Sequence, residues 1–197
     1  MTTARTRDHD IHELFFNRWS ARAFEPQEIP DAALMRMFEA ARFAPSRRNI
    51  QPWRFIYAKR GSPHWDTFLG FMAKHNSEWA MNASALVVVA ALTVDPENGK
   101  PHLPHVATYS IDIGAAWAFL ALQAFHMGWT THGIIGFDKE TARRVLQVPD
   151  IFKMEMMIVI GKRGDPATLS QFNRDQEFPS ARKPVREIAC EGQFQFD

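Results

Sequence analysis

From Ser84 to Val94 the chain runs Ser-Ala-Leu-Val-Val-Val-Ala-Ala-Leu-Thr-Val without a single charge. A strand with one wet face would alternate apolar and polar residues, and this run does not, so both of its faces must be covered. The segment therefore predicts a central strand sandwiched between helices. The rest of the chain supplies that cover. Ile29-Pro30-Asp31 opens a helix with Leu34, Met37, Phe38 and Ala41 on one face, since proline and an acid suit a first turn. Trp65, Phe68, Leu69 and Met72 mark a second amphipathic helix, and Tyr109 to Met127 a long third one ended by Gly128. Strands are expected at Trp53 to about Lys59, within Trp129–Gly136 and from Met154 to Ile160, the last ended by Gly161. Ile11, Leu14 and Phe15 share a face and predict a first helix from about Asp10 to Asn17. Asp138 should cap a further helix through Leu146.

The stretch from Ala40 to Phe55 carries the chemistry. Pro45 cannot extend a helix, and Trp53 begins a strand. Between them Ser46, Arg47, Arg48, Asn49 and Gln51 place five hydrogen-bonding side chains in six positions. A plain helix-to-strand turn needs one or two turn-formers. A second polar set lies upstream at Arg18, Ser20 and Arg22. In an extended segment all three point to one side, and two guanidinium groups with a hydroxyl suit a phosphate. Together the two clusters ask for a ligand.

Pro45-Ser46-x-x-Asn49-x-Gln51-Pro52-Trp53, preceded by Arg18-Trp19-Ser20-Ala21-Arg22-Ala23-Phe24 and Ile29-Pro30, resembles the FMN-dependent nitroreductase family. Gly128-Trp129-Thr130, Gly133-Ile134-Ile135-Gly136-Phe137-Asp138, Val159-Ile160-Gly161 and Arg182-Lys183-Pro184 follow in matching order. The resemblance implies an α+β fold: a central, mostly antiparallel sheet flanked by helices, in an intertwined homodimer that exchanges C-terminal arms. It implies one domain over residues 1–197, with about the first ten flexible and residues 162–197 an extended arm. It implies FMN as cofactor and NADH or NADPH as co-substrate, with a nitroaromatic, quinone or related small molecule as acceptor in a ping-pong cycle. The alternative on the same scaffold is an FMN protein without nicotinamide turnover: a dehalogenase, a flavin-consuming enzyme or a flavin carrier.

By the same resemblance Arg18, Ser20, Arg22 and Arg182 hold phosphate and ribityl, with the backbone near Trp19. Ser46, Asn49 and Gln51 would reach the flavin ring from the second subunit, with Pro45 and Arg47 in the same cofactor site, Arg47 either a cation beside the cleft that favours anionic substrates or a side chain turned to water, while the backbone at Ile135 and Gly136 lines the ring's other side. Asn76 is placed near the flavin. No side chain is assigned a catalytic role, because the flavin carries the redox chemistry.

Bulk properties narrow the alternatives. A formal net charge of +1 makes no electrostatic case for nucleic acid, and no polybasic tract favours a membrane surface. The longest apolar runs fall short of the ~20 residues of a membrane span, and the start lacks an apolar signal region. The chain reads as cytoplasmic. One cysteine, Cys190, excludes an internal disulfide. His102 and His105 lie in a proline-rich loop without a third ligand, so no metal is expected. Sixteen Phe, six Trp and nine Met are a large apolar volume, which a core of this size could absorb and an extensive buried subunit interface would need as well.

Overall fold

The computed structural model describes residues 5–100 and 108–196. The histidines at 102 and 105 lie outside the described residues. Five antiparallel strands form the central sheet: β1 (Phe24–Glu25), β2 (Trp53–Lys59), β3 (Ala85–Leu92), β4 (Thr130–Ile134) and β5 (Phe152–Arg163). The order is β1-β5-β3-β2, and β4 also pairs with β5. The long β5 therefore holds β3 on one side and, on the other, first β4 and then β1.

All eight residues of β3 are buried, as its uncharged sequence requires. Its two faces join different cores. Leu86, Val88 and Ala90 pack with Phe68, Trp79 and Met157. Val87, Val89 and Ala91 pack with Leu34, Met37 and Leu120. The first core is covered by α3 (Trp65–Gly70), α4 (Lys74–Ala80) and α6 (Lys139–Val145). The second lies under α2 (Asp31–Arg42) and α5 (Tyr109–His126).

Several boundaries differ from the sequence-based expectation, each for a physical reason. The first helix, α1 (Glu13–Asn17), starts three residues late because His12 Nδ1 accepts from the Leu14 amide. The last strand does not stop at Gly161 but runs on to Arg163. A Cβ on Gly161 would lie 2.6 Å from the Phe24 ring, so glycine there admits Phe24 rather than ending the strand. α4 has no apolar periodicity to announce it, since only Trp79 and Ala80 of its residues are buried. By contrast α6 is capped as expected, the Asp138 carboxylate accepting from the Thr141 amide at 2.9 Å. Gly128, at φ 72°, closes α5. A last short helix, α7 (Gln171–Arg174), begins the C-terminal segment.

On α5 the small residues Gly114, Ala115, Ala118 and Ala121 differ in burial. Ala121 is buried, whereas Gly114 and Ala118 are exposed beside Ile111 and Phe119, themselves 74% and 40% exposed. An apolar helix face is thus left open to solvent in the single chain.

Candidate functional site

Arg18 follows α1 directly, its amide donating to Leu14 O, and the chain then runs extended to β1. Trp19, Ala21 and Ala23 turn into the protein and are buried, so Arg18, Ser20 and Arg22 face the other way together. The segment is fixed from three directions. The Ala23 carbonyl accepts from the Gly164 amide at 2.8 Å. The Ala21 carbonyl is bonded by His132 Nδ1 at 3.1 Å. The Glu177 carboxylate accepts from the Arg22 and Ala23 amides at 2.9–3.0 Å.

Glu177 belongs to the segment after α7, and that segment closes the opposite wall. Arg18, Ser20, Arg22 and His132 face Gln176, Phe178, Ser180 and Arg182 across a cavity of about 420 Å³. None of the three cavity arginines forms an ion pair with a carboxylate among the described residues. Burial and the nearby Arg182 charge push the Arg18 guanidinium below its usual pKa. Guanidinium groups that line one cavity without a carboxylate partner can take up an anion there. A phosphate monoester bearing a polyol fits the donor set of guanidinium, hydroxyl and carboxamide groups.

His132, on β4, was not singled out from the sequence, where it reads as one more strand position. Its ring packs against Trp79 with centroids 4.9 Å apart. Burial first, then the Arg22 charge, lower its pKa to about 4, against the opposing pull of the Ala21 and Ser20 carbonyls. The histidine is therefore neutral at pH 7. Below the ordinary 6.5 the unfolded chain takes up a proton that the folded one refuses until about 4. Stability should accordingly be full above pH 6.5, fall as the pH drops toward 4, and level off from this group below that. Urea midpoints measured across that range for wild type and His132→Gln check this: the variant should lose part of the slope, and parallel curves would remove His132 from the account.

The second polar cluster forms a tight loop. Arg48, Asn49 and Gln51 all adopt left-handed φ, at 49°, 56° and 53°. Such a conformation costs a non-glycine residue on the order of 1 kcal/mol or more, so three within four positions must be held from outside. Ser46 Oγ accepts from the Gln51 amide at 3.0 Å, and buried Asp112 of α5 accepts from the Arg47 amide at 3.3 Å. Gln51 Nε2 donates to Asn49 O at 3.2 Å. Ser46 and Gln51 thus serve the turn itself. The Asn49 side chain is exposed and has no hydrogen-bond partner among the described residues.

Of the residues expected from sequence to hold a cofactor, the structure brings Arg18, Trp19, Ser20, Arg22 and Arg182 to one cavity. Pro45, Ser46, Arg47, Asn49, Gln51, Asn76, Ile135 and Gly136 do not line it within the same chain. Ile135 is 72% exposed at the end of β4, and a Cβ on Gly136 would meet open space. Glu177, Gln176, Phe178 and Ser180 join the site through contacts across the length of the chain, which no local pattern signals. No cluster of three or more metal-ligating side chains occurs among the described residues, and no helix there is long and apolar enough to cross a membrane.

The chain is similar to known proteins over its whole length. Residues 16–64, which span the Arg18 segment and the Ser46–Gln51 loop, match the model of the nitroreductase family. A solved oxidoreductase containing FMN superposes with a TM-score of 0.92 at 38% identity, with all of both chains covered. Protein DrgA of Synechocystis is 26% identical over 92% of this chain and 95% of its own. The NADH dehydrogenase of Thermus thermophilus is 22% identical over 91% of this chain and 94% of its own. Motif order, sheet topology and full-length similarity agree, and the chain belongs to the nitroreductase family.

Proposed function

We propose that the chain is an FMN-dependent oxidoreductase that uses NADH or NADPH to reduce a nitroaromatic, quinone or related small acceptor. The observation that carries this reading is the cavity that Arg18, Arg22 and Arg182 line, its walls drawn from both ends of the chain. Its residues fit the phosphate and ribityl of FMN. Arg18, Arg22 and Arg182 would neutralise the phosphate, while Ser20, Ser180 and Gln176 offer partners to the ribityl hydroxyls. Bound there, the flavin supplies the two-electron redox chemistry that side chains lack.

The ring would extend out of the cavity to a cleft between two subunits. Support for a homodimer comes from the exposed apolar face of α5 and from a C-terminal segment carrying exposed Phe178 and Phe194. The arm expected from residue 162 starts later, because Lys162 and Arg163 pair with β1 and residues 176–182 close the cavity of their own chain; the residues after Val185 would reach across the partner. The loop at 46–51 of the second subunit, braced by Asp112, would present Asn49 and Arg47 to the ring. The Asn49 carboxamide both donates and accepts, which suits the alternating N and O atoms of the flavin's polar edge. Ile135, Gly136, Pro45 and Asn76 would border the ring from their exposed or partly exposed positions. Donor and acceptor would use the open face in turn, a ping-pong cycle in which the protein contributes alignment rather than a catalytic acid.

Anaerobic mixing of the FMN-loaded protein with NADH or NADPH tests the reading. The visible flavin band should bleach within seconds and return on adding a quinone. A band that neither nicotinamide bleaches would place the protein among FMN proteins without nicotinamide turnover.

A further inference from the structure

The arginine cavity has walls from opposite ends of the chain, and a side chain outside the cavity joins them. Arg5 Nε donates to the carbonyl of Ser180, 175 positions downstream, at 3.1 Å. Its Nη1 donates to the carbonyls of Phe16 and Arg18, the latter at 3.2 Å. Ser180 O also accepts from Arg182 Nη1 at 3.0 Å, and Ser180 Oγ from the same nitrogen at 2.8 Å. Two guanidinium groups therefore grip one carbonyl, and the Arg5 group also grips the backbone of Arg18. The pairing of the two segments continues outward, where the Val185 amide donates to Asp8 Oδ2 at 2.7 Å.

We infer that Arg5 is a positioning residue that clamps the walls of this cavity and holds Arg182 opposite Arg18 for the phosphate. The inference rests on the FMN reading above and adds a residue to it. The clamp holds like charges together. Burial, then the Arg182 and Arg18 charges, lower the Arg5 pKa, and its Nη2 is buried without a hydrogen-bond partner among the described residues. The Arg5 and Arg182 guanidinium groups are thus pinned by neutral carbonyls rather than by carboxylates, with the Arg18 charge close by. An arriving dianion would relieve their repulsion, so the clamp should favour phosphorylated over unphosphorylated flavin.

Titrations of FMN and riboflavin into wild type, Arg5→Ala and Arg5→Lys test this. Arg5→Ala should raise the FMN dissociation constant about tenfold and leave riboflavin nearly unchanged, the size expected for losing a charge-assisted contact. Arg5→Lys, which keeps a charged donor, should recover part of the loss. The Arg5→Ala/Arg182→Ala pair should lose much less than the product of the single losses, because Arg5 acts through the wall that Arg182 occupies. A variant that keeps the wild-type preference for FMN, or two losses that simply multiply, would overturn the clamp. A global folding defect would instead weaken both flavins alike. Amide hydrogen exchange on the flavin-free protein decides independently of binding. Residues 176–185 should exchange faster in Arg5→Ala while β3 stays protected, and unchanged exchange there would also overturn the clamp. If wild type shows no preference for FMN over riboflavin, it is the functional reading that fails, and the exchange measurement still judges the clamp.

Discussion

Arg18→Ala should raise the FMN dissociation constant by about ten- to a hundredfold, with riboflavin affinity changed by no more than about twofold. Of the three cavity arginines with phosphate roles, Arg18 carries the strongest case. Its backbone is fixed as the cap of α1, its guanidinium is already partly buried, and its charge is disfavoured by burial and by Arg182. A phosphate would restore what that burial cost, so removing the side chain loses both the contact and the relief. Arg182→Ala should have the smaller effect, because Arg182 is exposed and one of its nitrogens is tied to its own loop at Ser180 and Ala181. Flavin fluorescence, followed through a titration of each variant, gives the ranking directly. Equal losses for FMN and riboflavin in Arg18→Ala would remove the phosphate from this cavity.

The second large effect is expected where the sheet meets the site. Gly164→Ala should destabilise the fold by about 1–3 kcal/mol or more, the usual penalty of overpacking a closed position. A Cβ there would sit 2.5 Å from Phe24 C and 2.7 Å from both Glu25 N and Phe24 O. These are backbone atoms and cannot swing aside as a side chain would. To make room, β1 must leave β5, breaking the Phe24–Arg163 pairing and the bond from Gly164 N to Ala23 O. The segment carrying Arg18, Ser20 and Arg22 runs directly into β1, so FMN affinity should fall with stability. The melting temperature should drop by about 3–10 °C for a chain of this size. Gly70→Ala, where a Cβ meets nothing within 4 Å, is the matched control and should melt like wild type. A Gly164→Ala protein with wild-type melting would show that β1 is not a fixed support of the site.

How far the sequence announces this molecule depends on how local each determinant is. The uncharged run around β3, the proline and acid that start α2, and Asp138 before α6 act within a few residues, and their elements lie where expected. Alternation alone placed Arg18, Ser20 and Arg22 on one side, as found. What could not be read is decided by distant partners. Gly161 looked like a terminator because glycine often is one, yet it lies within β5 because Phe24, far upstream, fills the space a side chain would take. The two-residue β1 exists only through its pairing with Lys162 and Arg163. Glu177 reaches amides 154 and 155 positions away, and Arg5 a carbonyl 175 away. The 46–51 loop was recognisable as unusual from its crowd of polar residues. That Ser46 and Gln51 stabilise the turn, while Asn49 is left outward, follows only from three left-handed residues in one short loop.

A crystal structure of the protein grown with FMN tests the central claim most directly. The account predicts the phosphate within hydrogen-bond distance of the Arg18, Arg22 and Arg182 side chains of one subunit, with Asn49 of a second subunit at the polar edge of the ring. A phosphate seated away from these arginines, or a ring met by no residue of a second chain, would contradict it.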